Sequence, residues 1–264
     1  HPLMTPILER FHLIGGVRMT IKIPLGFNRT MLEAGLSAWE YWQPEKQPHI
    51  GITGNSGWGK TVMCKLLLFR SAQAGARLIV CDAKGDDYRF LNGCPGFYDA
   101  LQYADGVNYA AKILEAHQTG KNIEKQFTVV LLEEWTAYIN ILTALDKKKA
   151  EALKNKLSTL LLLGRSWGIH IVLSAQRFDS ALLGPGGARE QLSLILQLGP
   201  VSKEAGPMIG ITDRSQLSPV FERGMGHLIL DGGAEICPFI VPKVCNFARL
   251  DEAIRQAMLQ QIES

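Results

Sequence analysis

The chain lacks any run approaching the ~18 to 20 apolar residues that a membrane-crossing helix needs. Its purest apolar stretches, residues 129–132 and 160–163, have the length of core strand or core helix segments. No span is therefore expected within it. The opening residues lack the basic, apolar and small-residue succession of a secretory leader. No C-x-x-C pair occurs among the five cysteines, Cys64, Cys81, Cys94, Cys237 and Cys245. Their odd number and apolar settings argue against a disulfide framework or a zinc site. Reduced thiols in a cytoplasmic protein are the expectation, with any membrane association supplied by upstream sequence or by partners. Charge excess is lacking too. The 28 basic and 25 acidic residues leave +3 on 264 residues, too little to argue for nucleic acid alone. Internal repeats and low-complexity tracts are absent. What remains is 47% hydrophobic, enough for a sizeable core and against disorder.

Residues 20–23 alternate like a short strand that Pro24-Leu25-Gly26 would end, and residues 29–38 have mixed helical character. The turn-rich stretch Gln43 to Pro48 reads as a linker into the main domain. From there strands and helices alternate. Strands are expected at 49–53, 77–82, 128–133, 169–174 and 192–198. Helices are expected up to residue 74, at 107–117 and at 146–165, where Ala150, Leu153, Leu157, Leu160 and Leu161 repeat at helical spacing. Residues 226–231 and 236–240 read as a closing hairpin around Gly232-Gly233. A terminal helix is expected at 250–262, with Asp251 and Glu252 in its first turn. The alternation predicts an α/β fold, a mostly parallel sheet with helices on both faces. Three segments follow: 1–47, an extension with a short strand; 48–247, the main domain; 248–264, a C-terminal helix.

The strongest chemical signal is Gly54-Asn55-Ser56-Gly57-Trp58-Gly59-Lys60-Thr61, which fits G-x-x-x-x-G-K-[ST] between a strand and a helix. Glycines allow the backbone to wrap a phosphate chain with N–H groups, and the helix start adds its positive dipole end. Lys60 would reach the β- and γ-phosphates of ATP, and the Thr61 hydroxyl would bind Mg2+. Trp58 departs from the usual Ser or Thr, either to stack on a base or a neighbour or simply to pack. Two apolar runs end in acids, one at Asp82 and one at Glu133-Glu134. The second is the better candidate because it supplies two adjacent carboxylates. Glu133 is assigned to the metal and Glu134 to the attacking water.

The segment Gly164-Arg165-Ser166-Trp167-Gly168-Ile169-His170-Ile171-Val172-Leu173-Ser174-Ala175-Gln176-Arg177 resembles the G-R-A-x-G-I-H-L-x-L-A-T-Q-R stretch of FtsK/SpoIIIE-type DNA translocases. Pro48 to Gly54 resembles the lead into that family's phosphate loop. Cys81-Asp82-Ala83-Lys84-Gly85 resembles its D-P-K, and Gly224-Met225-Gly226-His227-Leu228 its G-x-G-D-M-L. The likeness runs from about residue 21 to residue 231. The layout is also similar to that of conjugation coupling proteins and HerA-type ATPases, which together form a superfamily of RecA-like ring motors.

The resemblance implies a RecA-like P-loop NTPase that couples Mg2+-ATP hydrolysis to DNA movement as a hexameric ring, in conjugative or mobile-element transfer. Membrane-anchored or relaxosome-like proteins are the further partners it implies. Gln176 would sense the γ-phosphate, and Arg165 would act as a finger in the neighbouring subunit's site. Lys147, Lys148, Lys149, Lys154 and Lys156 form either a DNA-contacting cluster or a solvated face, and Arg214 and Arg223 are equally open. About thirty residues follow the G-x-G-like segment, too few for a winged-helix module. Two rival readings remain: a protein-secretion ATPase of the same superfamily, and a nucleotide-dependent assembly factor with little turnover.

Overall fold

The computed structural model describes residues 20–120 and 125–262. Residues 1–19 of the expected N-terminal extension lie outside them. Among the described residues ten strands form one sheet: β1 (Ile23–Asn28), β2 (Trp39–Trp42), β3 (Ile50–Thr53), β4 (Arg77–Asp82), β5 (Phe97–Tyr98), β6 (Thr128–Glu133), β7 (Ile169–Ala175), β8 (Leu194–Leu198), β9 (Met225–Leu230) and β10 (Glu235–Ile240). Their order is β2-β1-β10-β9-β8-β3-β7-β6-β4-β5. The block from β8 to β5 is parallel throughout. Strands β9, β10, β1 and β2 extend it in antiparallel fashion. The helices are α1 (Arg29–Glu33), α2 (Lys60–Gln73), α3 (Tyr103–Gln118), α4 (Trp135–Leu145), α5 (Lys147–Leu163), α6 (Ala205–Met208) and α7 (Phe247–Leu259). Among the described residues no helix is long and apolar enough to cross a membrane.

The strand sequences explain the layering. Successive side chains on a strand point to opposite faces. Leu78 and Val80, Val129 and Leu131, and Ile50 and Ile52 enter a core shared with Met63 and Leu67 of α2 and Leu250, Ile254 and Met258 of α7. Ile79 and Cys81, Val130 and Leu132, and Ile171 and Leu173 enter the other core, against Val107 of α3, Ile139 of α4 and Leu157 and Leu160 of α5. Strands covered on both faces read as continuous apolar runs, which is why β4 and β6 begin and end where the sequence analysis expects.

Several expectations need correction. The first strand runs through Pro24-Leu25-Gly26 rather than stopping there. Its register against β2 shifts between Pro24 and Gly26, and it pairs with β10 only at Phe27 and Asn28. Pro24 therefore sits where no second ladder needs its missing N–H. A Cβ at Gly26 would lie 2.5 Å from the Ile240 carbonyl, so this crossing tolerates no side chain. The mixed helix at 29–38 shortens to α1, capped by Asn28, whose side chain accepts from the Met31 N–H. The helix expected over 146–165 ends at Leu163 and passes into a 3-10 turn, Gly164–Trp167. The last helix starts earlier than expected, capped by Asn246, so Asp251 is not in its first turn. Instead Asp251 pairs with Lys65 of α2 at 2.9 Å. Strands β2 and β5 and helices α4 and α6 are additions. Residues 20–47 supply β1 and β2 to the same sheet as the main domain.

Candidate active site

β3 ends at Thr53 on the carboxyl edge of the parallel block, where loops after β3, β4, β6 and β7 converge. Its hydroxyl donates to the Gln176 carbonyl at 2.9 Å, tying the start of the glycine loop to the end of β7. Gly54, Gly57 and Gly59 take φ values of 139°, 84° and 100°, which L side chains rarely adopt. Gly54 has a second constraint: a Cβ there would lie 2.0 Å from the Leu198 carbonyl of β8. Asn55 and Ser56 are exposed at the tip. Gly59 precedes α2 without any side-chain cap, leaving the first amides of the helix without an intrahelical partner. The indole of Trp58 packs on Gly199, its ring 2.6 Å from where a Cβ would stand, so this residue serves packing.

Lys60 is buried at 6% exposure and folds back over the loop, donating to the Gly54 carbonyl at 2.7 Å and the Asn55 carbonyl at 3.3 Å. Its Nζ lies 3.9 Å from Oε1 of Glu134. The same oxygen accepts from Lys84 at 2.9 Å. Burial works against the Lys84 charge, but the bond to Glu134 together with the charges of Glu134, Asp87 and Glu133 outweighs it and raises the ammonium above its ordinary value. Glu134 itself is buried and adopts φ 50°, ψ 40° at the junction of β6 and α4. A left-handed non-glycine residue costs on the order of 1–3 kcal/mol and persists where the surroundings fix it, commonly at working sites.

Glu133 is fully buried, and neither of its carboxylate oxygens has a hydrogen-bond partner. Burial pushes its pKa up to about 7, with the Ser174 hydroxyl and Cys64 thiol nearby offsetting part of the effect. Asp82, its register partner on β4, is differently placed. Its oxygens accept from the backbone N–H groups of Lys84, at 3.1 Å, and Tyr88, at 3.3 Å. Burial raises its pKa, and these bonds pull the other way. Asp82 thus holds its own loop, whereas the Glu133 oxygens make no hydrogen bond and have the Ser174 hydroxyl and the Cys64 thiol beside them. Among the described residues no three His, Cys, Asp or Glu side chains gather as a metal cage. Mg2+ in phosphate sites takes one or two protein oxygens and completes its shell with phosphate and water. Thr61 in the first turn of α2 and the orphaned Glu133 carboxylate fit that donor set.

Two further residues singled out in the sequence lie at opposite edges of the sheet. The side chain of Gln176 is exposed at the end of β7, at this same edge. Arg165 precedes β7 and lies at the opposite, amino edge, about 20 Å away along a seven-residue strand. Its guanidinium donates to the Glu45 carbonyl. Of the lysine cluster, Lys154 binds Glu151 and the Ala181 carbonyl, and Lys156 binds Asn108. Lys147, Lys148 and Lys149 remain exposed at the start of α5. Sequence reasoning gave no role to Lys84 and left Arg223 open. Lys84 lies in the Cys81–Gly85 motif, which was its signal. For Arg223, whose Nη2 approaches the glycine loop, no sequence signal existed.

Comparison with known proteins places this geometry. Residues 46–158 match the family described as DUF87, the central domain of helicase HerA. The FtsK domain-containing protein YdcQ of Bacillus subtilis (strain 168) is 28% identical over 225 residues, covering 78% of this chain and 46% of that protein. The solved pCW3 conjugation coupling protein TcpA, monomer form with ATPγS, superposes with a TM-score of 0.63 at 20% identity, over 83% of this chain and 65% of that one. The cytoplasmic domain of the Thermomonospora curvata type VII secretion ATPase EccC gives 0.65 at 18% identity, over 96% of this chain and 32% of that one. This chain thus spans less than half the length of YdcQ and less than two thirds of TcpA. The fold is that of the P-loop ATPases.

Proposed function

We propose, for a chain that is of the FtsK/HerA type in sequence and in fold, that it hydrolyses Mg2+-ATP and uses the energy to move DNA. The observation that carries the hydrolytic part is the convergence of Lys60 and Glu134 at the glycine-rich loop, with Glu133 unpaired beside them. The loop amides and Lys60 bind the phosphate chain. Thr61 and Glu133 would hold the metal, which would supply charge neutralisation on the phosphates. Glu134 takes the proton of the attacking water, once the incoming phosphates draw Lys60 and Lys84 away from its carboxylate. Gln176 orients that water from the end of β7. Arg165, remote from the site of its own chain, completes the site of a neighbour in a hexameric ring.

DNA as the cargo is supported by the likeness to the helicase HerA and to the conjugation coupling protein TcpA, together with the exposed lysines at the start of α5. Protein cargo is the second reading, favoured by the superposition on EccC. Glu134→Gln tests the catalytic assignment. It should leave ATP binding near wild type and lower turnover on the order of 10²-fold or more, as loss of a general base does. If Asp82→Asn has that effect and Glu134→Gln does not, the base belongs to β4.

A further inference from the structure

Both ends of one excursion contact the glycine loop. β8 ends at Leu198, and the chain returns at Met225, where the Gly199 N–H donates to the Met225 carbonyl at 2.9 Å. Leu198 abuts Gly54, and Gly199 carries the Trp58 indole. On the returning arm the Gly224 N–H donates to the Trp58 carbonyl at 3.2 Å, and its Cα lies 3.7 Å from where a Cβ of Gly59 would be. Arg223 immediately precedes that contact. Its Nη2 stands 3.9 Å from the Cβ position of Gly57, beside the middle of the glycine loop.

The backbone presenting Arg223 is pinned on several sides. Arg29, buried at 5% exposure, donates to the Pro219 carbonyl at 2.6 Å and lies over the Phe221 ring at 5.8 Å. The Ser218 N–H donates to His227 at 3.1 Å, the Met225 N–H to the Glu222 carbonyl at 3.2 Å, and the Val241 N–H to the Gly224 carbonyl at 2.8 Å. Charge adds a second argument. Both lysines of the site, Lys60 and Lys84, face Glu134. Among the described residues Arg223 makes no ion pair, so it is the cation at the glycine loop not matched to a carboxylate.

We propose that Arg223 is a phosphate-binding residue of its own chain's site, holding the outer end of a nucleoside triphosphate bound in the glycine loop. A guanidinium fork on a pinned loop matches phosphate oxygens with little reorganisation. Arg223 thus supplies in cis what Arg165 cannot supply within the same chain. The inference rests on the nucleotide reading above, and its test separates the two. Binding of ATP and of ADP, and turnover without and with duplex DNA, are measured for the wild-type chain, Lys60→Ala, Arg223→Ala, Arg223→Gln and Arg223→Lys.

Loss of a charged hydrogen-bonding partner should weaken ATP binding by ~10-fold or more, and ADP binding by much less. Turnover should fall with it in both neutral variants, and Arg223→Lys should recover part of the ATP affinity. Wild-type nucleotide preference and turnover in the neutral variants would overturn the proposal. Equal weakening of ATP and ADP would also overturn it, because it would mark Arg223 as packing for the loop. A loss confined to DNA stimulation would place Arg223 on DNA and overturn it as well. If Lys60→Ala binds both nucleotides like wild type, the nucleotide reading itself falls, and this proposal with it.

Discussion

At the scale of single residues, the site opposes two carboxylates by environment. Glu134 is held by lysines, whereas its neighbour Glu133 has no partner and is pushed up to about 7 by burial. Histidines at the opposite edge behave as structural groups. His49 is fully buried; its Nε2 donates to the Leu161 carbonyl at 2.9 Å and its Nδ1 accepts from the Ile171 N–H at 2.9 Å. That pattern requires the neutral ring, since a second proton on Nδ1 would meet an N–H donor. Burial, then the neighbouring His170, lower its pKa to about 3. Burial lowers His170 to about 4. Between these values and the ordinary 6.5 the unfolded chain binds more protons than the folded one. The stability contributed by these rings is present above pH 6.5 and is lost as pH falls, by about 2 kcal/mol per histidine on reaching pH 5. Glu133 acts oppositely: its raised pKa makes stability fall as pH rises between 4.5 and about 7. The readout is therefore the difference between wild type and His49→Asn in urea unfolding at pH 7 and pH 5. The variant should be less stable at pH 7 and lose less on acidification. An equal loss in both proteins would show that His49 does not titrate on unfolding.

At the scale of elements, legibility followed periodicity. β4 and β6 are unbroken apolar runs ending in acids, and α5 carries a clean helical repeat, so their places could be read directly. Helix α4 could not. Its sequence WTAYINILTAL is apolar on nearly every side, leaving Ile141 63% and Leu145 80% exposed, so no polar face marks it as a helix. β2 and β5 are short and exist only through their partners. The same holds for the site. The glycine loop and the acid pair are local patterns, but the Lys84 contact to Glu134 joins residues 50 apart, and only the sheet order brings them together. α5 offers its own test. Asp146 caps it by accepting from the Lys149 N–H, and the three exposed lysines crowd that start. Cations there oppose the helix dipole and are better matched to external phosphates. Replacing Lys147, Lys148 and Lys149 by Gln should weaken duplex DNA binding and flatten its salt dependence by up to ~0.9 in slope per lost phosphate contact. A slope like that of wild type would identify them as a solvated face.

At the scale of the whole molecule, the parallel block separates two edges. Its carboxyl edge holds the candidate nucleotide site, and its amino edge holds Arg165, His49 and His170. If Arg165 reaches a neighbouring subunit, one chain alone is an incomplete catalyst. Arg165→Ala should then keep ATP binding and lose ~10³-fold in rate, the lower end for an arginine finger. Mixing it with Glu134→Gln, each inactive alone, should restore part of the activity, because some interfaces then pair an intact finger with an intact base. No recovery at any ratio would return Arg165 to its local role, holding the Glu45 carbonyl.

The most direct test of the account is the rate of ATP hydrolysis by this chain with duplex DNA, with single-stranded DNA and with none, over a range of salt, beside Lys60→Ala. Turnover that Lys60→Ala abolishes, that DNA raises, and whose stimulation falls steeply with salt is the predicted result. Equal turnover in all three conditions at low salt would contradict a DNA motor, and turnover that survives Lys60→Ala would contradict the site itself.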